Sequence, residues 1–204
     1  MDSILALARR LLALSQTGLS FTPQEYDRER YREIIQIATA LLQIDSGRPA
    51  DQLQQAWFVE DGYATPKIDV RGAIFRDDRV LLVRETTDGK WALPGGWADV
   101  NDGPAHAVEK EIEQESGFTA RAVKLAALYD RNMHDHLPHL YHSWKAFFIC
   151  EIVSGEPRTS HETDGVDFFA LNALPELSLG RVTAAQIQRM YEHHQHREWP
   201  TEFD

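Results

Sequence analysis

Two carboxylates near the middle of the chain have a spacing that suits a divalent cation. Glu111 and Glu115 are four residues apart in a segment of helical character, so their side chains lie on one face of a predicted helix. Carboxylates this close repel each other unless a positive charge lies between them. Mg²⁺ takes oxygen ligands from one or two carboxylates and from substrate phosphates, and the preceding Gly95-Gly96 pair could offer a carbonyl as a further ligand. A solvated acidic helix face remains the alternative interpretation.

The overall charge indicates how a phosphate-bearing ligand would be held. With 21 basic and 32 acidic side chains in 204 residues, the net charge is −11. The chain therefore has no general attraction for nucleic acid or an anionic membrane, and such a ligand would need local contacts and a metal cation. The single cysteine, Cys150, excludes a disulfide framework and a cysteine-based zinc site. No apolar run approaches the roughly 20 residues that span a bilayer, and no secretory signal is evident, so we expect a cytoplasmic protein.

The first part of the chain has a helical pattern. Apolar residues recur at helical spacing over residues 4–14, which predicts a first helix. The sequence Thr22-Pro23-Gln24-Glu25 predicts the start of a second helix, with Thr22 as N-cap and Glu25 completing a capping box. A third helix is predicted after Pro49, ending near Trp57.

The pattern changes near residue 62. Glycine and proline in residues 61–66 indicate a boundary between a helical extension, residues 1–62, and a domain, residues 63–204. Three helices of this length bury little by themselves. The extension therefore either covers the domain or forms a dimer interface, and the two are compatible.

The domain combines short β-branched segments with two helices. Strands are predicted at residues 68–75, 80–84, 91–93, 123–129, 144–152 and 166–170. Helices are predicted at residues 104–116, where Gly117 is the stop, and at residues 182–194. This order of elements predicts a mixed α/β domain.

A longer motif surrounds the two carboxylates. Five residues separate Gly96 from Asp102, and a further seven separate Asp102 from Lys110-Glu111-Ile112, which is followed by Gln114-Glu115 and Gly117-Phe118. These spacings resemble the Nudix box, whose general form has Glu, Arg and Glu where this chain has Asp102, Lys110 and Gln114. Residues 90–100 resemble the strand and loop that lead into the box. The helical first sixty residues are similar to a Nudix subfamily with an N-terminal extension, described as pyrophosphatases acting on CDP-choline or ADP-ribose.

The resemblance implies a fold and a reaction. The fold would be α/β, with a mixed sheet sandwiched by helices and an N-terminal helical extension. The reaction would be Mg²⁺- or Mn²⁺-dependent hydrolysis of a nucleoside diphosphate linked to another moiety, X, giving a nucleoside monophosphate and phospho-X. The metal ligands would be Glu111, Glu115, the Gly96 carbonyl and Gln114, and Lys110 would steady the helix carboxylates.

Further site residues follow from position alone. Glu162 precedes a predicted strand, where many Nudix members have a late Glu that binds metal or acts as base. We expect a turn at Thr163-Asp164-Gly165 to project it inward, with Asp164 the nearest substitute and a surface carboxylate as the alternative.

Substrate contacts are expected from two places. Arg71 and Arg84, on paired strands, could reach the phosphates, or could form outward salt bridges. Asp130 and His134 belong to a polar, His-rich segment that either contacts substrate or is a solvated loop.

Two other functions compete with hydrolysis. Gln114 removes one negative charge from the box, which motivates a degenerate domain that binds nucleotide without cleaving it. RNA-end processing is the other alternative, and the charge of −11 disfavours it because tracking nucleic acid needs a basic groove. The expected partners are a small nucleotide and a second copy of the chain, with no membrane.

Overall fold

The computed structural model describes residues 3–57 and 62–204, without the side chains of residues 54–57. The chain divides into two compact units. The first contains the described residues up to Pro66 together with His139–His142, and the second contains Lys67–Pro138 and Ser143–Asp204. Among the described helices, none has the length and apolar character needed to cross a membrane.

The first unit contains three helices, α1 (Ile4–Phe21), α2 (Glu25–Ser46) and α3 (Ala50–Trp57). They enclose a small apolar core of Ala8, Leu12, Ile35, Ala38, Leu42 and Leu53. Several large apolar side chains of the same helices are exposed, among them Ile4, Leu7, Leu14, Phe21, Ile37 and Ile44. The predicted boundary segment begins at Asp61, which lies outside the described residues.

The predicted capping box at the start of α2 is wrong. Gln24 is the N-cap residue and makes no side-chain cap hydrogen bond. Thr22 instead ends α1, and its backbone N–H donates to the Gly18 carbonyl at 2.9 Å. Glu25 pairs with Arg32 at 2.8 Å instead of folding back onto the cap.

A segment distant in sequence completes the helical unit. The Arg9 guanidinium donates to the carbonyls of His139 and Tyr141 at 3.3 and 3.5 Å, and Leu140 packs against the helical core. Residues His139–His142, which follow the polar segment that contains Asp130 and His134, therefore belong to the helical unit.

The second unit is built on a seven-stranded mixed sheet. Its strands are β1 (Lys67–Arg76), β2 (Arg79–Glu85), β3 (Trp91–Ala92), β4 (Phe118–Asp130), β5 (Ser143–Gly155), β6 (Thr163–Ala170) and β7 (Glu202–Phe203). Their order is β3-β2-β1-β5-β4-β7, and β6 pairs with β2. The β1–β5 and β4–β7 pairs are parallel and the others antiparallel. The strand β7 was not predicted.

Helices pack against both faces of this sheet. On one face, α4 (Pro104–Ser116) contributes Val108 and Ile112 to a core that includes Val70 and Ile74 of β1. On the other, α5 (Ala184–Gln195) contributes Ile187 and Met190 to a core that includes Ala73, Leu82 and Phe147. The predicted mixed sheet between helices is confirmed. Helix α5 begins two residues later than predicted, because Thr183 and Gln186 form a capping box.

Candidate active site

The helix α4 presents Glu111 and Glu115 at the sheet. It starts with Pro104 at its first turn and ends at Gly117, whose φ of +77° favours glycine. Glu115 is only 4% exposed, Glu111 is half-buried and Gln114 is exposed. Of the three α4 side chains predicted to bind metal, Glu111 and Glu115 are therefore at least partly buried in the domain, and Gln114 is exposed to solvent.

The loop that contains Gly95 and Gly96, called the glycine loop below, lies against both glutamates. The Gly95 N–H donates to Glu115 Oε2 at 2.8 Å, and Gly95 has a φ of +144°. A Cβ at Gly95 would lie 2.0 Å from the Val70 carbonyl oxygen, so only glycine fits there. A Cβ at Gly96 would lie 3.2 Å from the Glu111 carboxylate. The absence of side chains thus allows the backbone to approach both carboxylates closely.

The strand β1 fixes the position of this loop. The Val70 N–H donates to the Gly96 carbonyl at 2.8 Å, and the Gly72 N–H donates to the Pro94 carbonyl at 2.9 Å. The Gly96 carbonyl keeps a second lone pair, because a carbonyl oxygen can accept two bonds.

Burial raises the proton affinity of the two glutamates. It raises the pKa of Glu115 to about 8, against the opposing influence of Arg71 and the Gly95 N–H. Burial also raises the pKa of Glu111, opposed by Arg71 and assisted by the charge of Glu162. In the metal-free protein Glu115 therefore carries a proton at neutral pH, and a bound cation would displace it.

Arg71 belongs to a buried charge network inside the sheet. Its Nε lies 2.7 Å from Asp69 Oδ1 and its Nη1 donates to the Leu93 carbonyl at 3.1 Å. Lys145, fully buried on β5, forms a second ion pair with Asp69, and burial lowers the pKa of Lys145 to about 8. Two cations thus share one carboxylate, and Arg71 is held beneath the glycine loop, away from solvent.

The segment around Glu162 differs from its prediction. Residues 163–165 form no turn: they start β6 and pair with the end of β2, Thr163 opposite Glu85 and Gly165 opposite Arg84. Glu162 is exposed immediately before that strand. The Thr163 hydroxyl donates to the Glu115 carbonyl at 2.7 Å, so this segment lies at the C-terminal end of α4.

A buried carboxylate that sequence reasoning missed lies at the end of β2. Glu85 is buried, and its Oε1 lies 2.8 Å from Arg181 Nε. In addition to this ion pair, Arg181 donates hydrogen bonds to the hydroxyls of Ser178 and Thr87, each at 3.1 Å. Burial raises the pKa of Glu85, with Arg181 and Arg71 opposing and Glu162 assisting. Its only sequence signal was a charge after an apolar run, which is also normal at a strand end.

Lys110 makes its contacts with the loop. Its Nζ donates to Asp99 and Asp102 at 2.7 and 3.1 Å, and these hydrogen bonds raise the pKa of Lys110 to about 12. Lys110 therefore contacts the loop carboxylates directly and acts on the helix carboxylates through its charge, which opposes the rise in the pKa of Glu111. Asp102, which stands where the Nudix box has Glu, is one of the two partners of Lys110.

The other residues predicted to contact substrate have polar partners within the second unit. Arg84 pairs with Asp164 at 2.6 Å on β2 and β6. His134 Nε2 lies 3.1 Å from Asp204 Oδ1, and the Asp130 N–H donates to Asp204 Oδ2 at 2.6 Å. Asp130 and His134 therefore form one cluster with Asp204.

The oxygen donors at α4 fit a hard divalent cation. They are the carboxylates of Glu111 and Glu115 and the Gly96 carbonyl, held together by the hydrogen-bonded glycine loop. Mg²⁺ and Mn²⁺ prefer oxygen ligands of these types. Among residues 3–57 and 62–204, no group of three His, Cys, Asp or Glu side chains could hold a metal ion. Backbone oxygen, water and substrate oxygen would therefore complete any coordination sphere.

Comparisons with known proteins match both parts of the chain. A family model described as the NUDIX domain matches residues 65–190. A second model, described as a UDP-X-like, N-terminal oligomerisation domain, matches residues 2–57. The Bacillus subtilis (strain 168) protein named "Putative ADP-ribose pyrophosphatase YjhB" is 39% identical over 197 residues, which are 97% of this chain and 95% of that protein.

Solved structures extend the similarity to three dimensions. The crystal structure of a UDP-X diphosphatase is 32% identical, with a TM-score of 0.65 and coverage of 98% of each chain. That of an ADP-ribose pyrophosphatase from Streptococcus suis 89-1591 is 39% identical, with a TM-score of 0.64, and covers 69% of this chain and 100% of the other.

Proposed function

The chain belongs to the Nudix hydrolase family, and on that premise we propose that it hydrolyses a nucleoside diphosphate linked to another moiety, X. The products would be a nucleoside monophosphate and phospho-X. ADP-ribose and related compounds are the first candidates, because two similar proteins carry ADP-ribose pyrophosphatase names. UDP-linked compounds follow from the UDP-X diphosphatase, and CDP-choline-like compounds from the motif resemblance.

The observation that carries this proposal is the pairing of a glycine loop with two helix carboxylates. Glu111, Glu115 and the Gly96 carbonyl would hold Mg²⁺ or Mn²⁺. When bound, such an ion neutralises charge on the diphosphate and lowers the pKa of water. Gln114, which is exposed, stays a candidate ligand through its amide oxygen.

The chain supplies a separate proton acceptor. A carboxylate that binds a cation is a poor base, because the cation depresses its pKa. Glu162 is an exposed carboxylate outside the helix, and its charge acts on Glu111. In the proposed step a water oxygen bonds to one phosphorus, its proton passes to Glu162, and the bond from that phosphorus to the bridging oxygen breaks. The leaving phosphate keeps that electron pair.

Other residues are proposed to bind the substrate. Arg84 is partly exposed and could exchange Asp164 for a phosphate oxygen. Arg71 is buried, so its positive charge would act across the glycine loop without direct exposure. Asp130 and His134 are proposed to contact the base or X.

The helical extension is proposed to form a homodimer. The matching family model is described as an oligomerisation domain, and large apolar side chains such as Leu14 and Phe21 are exposed on α1. Burying these side chains against a second copy would remove apolar surface from water.

A substrate panel tests the proposed activity. The purified protein is incubated with ADP-ribose, UDP-glucose, CDP-choline and a capped RNA, with Mg²⁺, Mn²⁺ or a chelator, and products are separated by chromatography. We expect a nucleoside monophosphate from at least one small substrate, only when metal is present. Binding of substrate by calorimetry without product under any condition would favour the nucleotide-binding alternative. Cleavage of the RNA alone would favour RNA-end processing.

A further inference from the structure

The exposed side chain of Glu162 projects from a turn formed by residues 160–163, immediately before and at the start of β6. The Ser160 hydroxyl oxygen accepts hydrogen bonds from the backbone N–H groups of Glu162 and Thr163, at 3.1 and 3.2 Å. The Ser160 N–H in turn donates to the Thr163 carbonyl at 2.9 Å. The backbone on both sides of the Glu162 side chain is therefore fixed within the turn.

This turn is also anchored to two other elements. Thr86 immediately follows β2, and its N–H and hydroxyl both donate to the Glu162 carbonyl, at 2.9 and 3.0 Å. On the other side the fully buried Thr163 hydroxyl donates to the Glu115 carbonyl at 2.7 Å. A carbonyl in the last turn of a helix lacks an intrahelical partner, so it is free to accept this bond.

Glu115 thereby links three parts of the site. It lies on α4, the helix that also carries Glu111. Its carboxylate accepts a hydrogen bond from the Gly95 N–H of the glycine loop, and its backbone carbonyl accepts one from the Thr163 hydroxyl. A base outside the helix is useful only if its carboxylate is placed correctly relative to the groups on the helix. Displacement by about 1 Å can cost on the order of 100-fold in rate.

We propose that Thr163 is a positioning residue, whose hydroxyl fixes the turn that carries Glu162 against the Glu115 end of α4. This inference rests on the proposed pyrophosphatase function and on Glu162 as the proton acceptor. Thr163 touches no reacting atom and acts through the placement of the Glu162 carboxylate.

Three substitutions separate positioning from general support of the fold. Thr163→Val replaces the hydroxyl by a methyl group of similar size, and Thr163→Ser keeps the hydroxyl. Thr39→Val is the matched control, because the buried Thr39 hydroxyl also donates to a helix carbonyl, that of Ile35, at 2.8 Å in the helical unit. Thr163→Ala, which leaves space instead of a methyl group, replaces Thr163→Val if that variant does not fold.

The expected result is a loss in kcat without a change in KM. Thr163→Val should lower kcat by about tenfold to 100-fold, while Thr163→Ser and Thr39→Val should stay within about threefold of the original protein. The same Thr163→Val change should cost nothing further in a Glu162→Gln background, because residues that act as a unit are non-additive. Circular dichroism and thermal melts confirm that each variant is folded.

Each contrary outcome has a distinct meaning. If Thr163→Val retains its kcat, or if its loss multiplies fully with that of Glu162→Gln, positioning is overturned while the activity stands. If Glu162→Gln alone has full kcat, the base assignment fails and the positioning role fails with it. If the unaltered protein hydrolyses no panel substrate, the proposed function itself is wrong.

Discussion

Replacing Glu115 by Gln should remove a large pH dependence from the stability of the metal-free protein. In the folded chain burial raises the pKa of Glu115 from 4.5 to about 8. The stabilising contribution of its proton is complete below the unfolded pKa and is lost as the pH rises through the folded pKa. In the Glu115→Gln variant the side chain at this position is neutral at every pH. This loss of stability with rising pH is therefore absent from the variant.

The magnitude follows from the same shift. Between about pH 5.5 and about pH 7.5 the folded state keeps nearly one proton that the unfolded state has released. At about 1.4 kcal/mol per pH unit, the free energy of unfolding falls by about 2.5 kcal/mol over this interval because of Glu115 alone. For a chain of this size that corresponds to a change in Tm of about 5–10 °C.

The assay compares variants so that other groups cancel. Lys145 has a lowered pKa and makes stability rise with pH, whereas Glu111 and Glu85 have raised pKa values and make it fall; all three groups are present in both proteins. Thermal melts in a chelator at fixed protein concentration give the change in Tm between the two pH values. Glu113→Gln, an exposed change on the same helix, should keep the original dependence. If Glu115→Gln shows the same fall in Tm with pH as the original protein, the buried, protonated state of Glu115 is refuted.

Three further outcomes are expected. Gln114→Glu should raise the apparent Mg²⁺ affinity in calorimetric titration, and an unchanged titration would mean that this side chain does not reach the ion. Asp69→Asn leaves the buried cations Arg71 and Lys145 unpaired and should cost about 3–5 kcal/mol in urea unfolding. Lys145→Met keeps the Asp69–Arg71 pair and should cost less; equal losses would contradict this ordering. Light scattering should give about twice 23.3 kDa, and Leu14→Glu should halve it; an unchanged mass in that variant would argue against a dimer through this face.

Local signals in the sequence predicted the elements that carry the box. Helix α4 begins and ends where Pro104 and Gly117 indicated, since both residues act on the backbone within one turn. The capping box at Thr22 failed because the same residue ends α1, and two helices so close in sequence compete for it. The turn at residues 163–165 failed because pairing with β2 overrides the local preference of Asp and Gly.

The interior charges of the site could not be predicted in this way. Asp69 and Lys145 are 76 residues apart, and Glu85 meets Arg181 from a distant segment. Each residue alone has the pattern of an ordinary charged strand or loop residue. Their pairing depends on strand register and on the path of the segment before α5, which no local spacing encodes.

The most direct measurement compares the turnover of Glu115→Gln and Glu113→Gln on the best panel substrate across a Mg²⁺ titration. The two changes make the same chemical replacement on the same helix, but of the two side chains only that of Glu115 is buried against Gly95. We predict that Glu115→Gln lowers kcat by about 100-fold or more with the fold retained, and that Glu113→Gln stays within about twofold. Near-normal turnover of Glu115→Gln with unchanged metal dependence would contradict the assignment of the metal site to this helix.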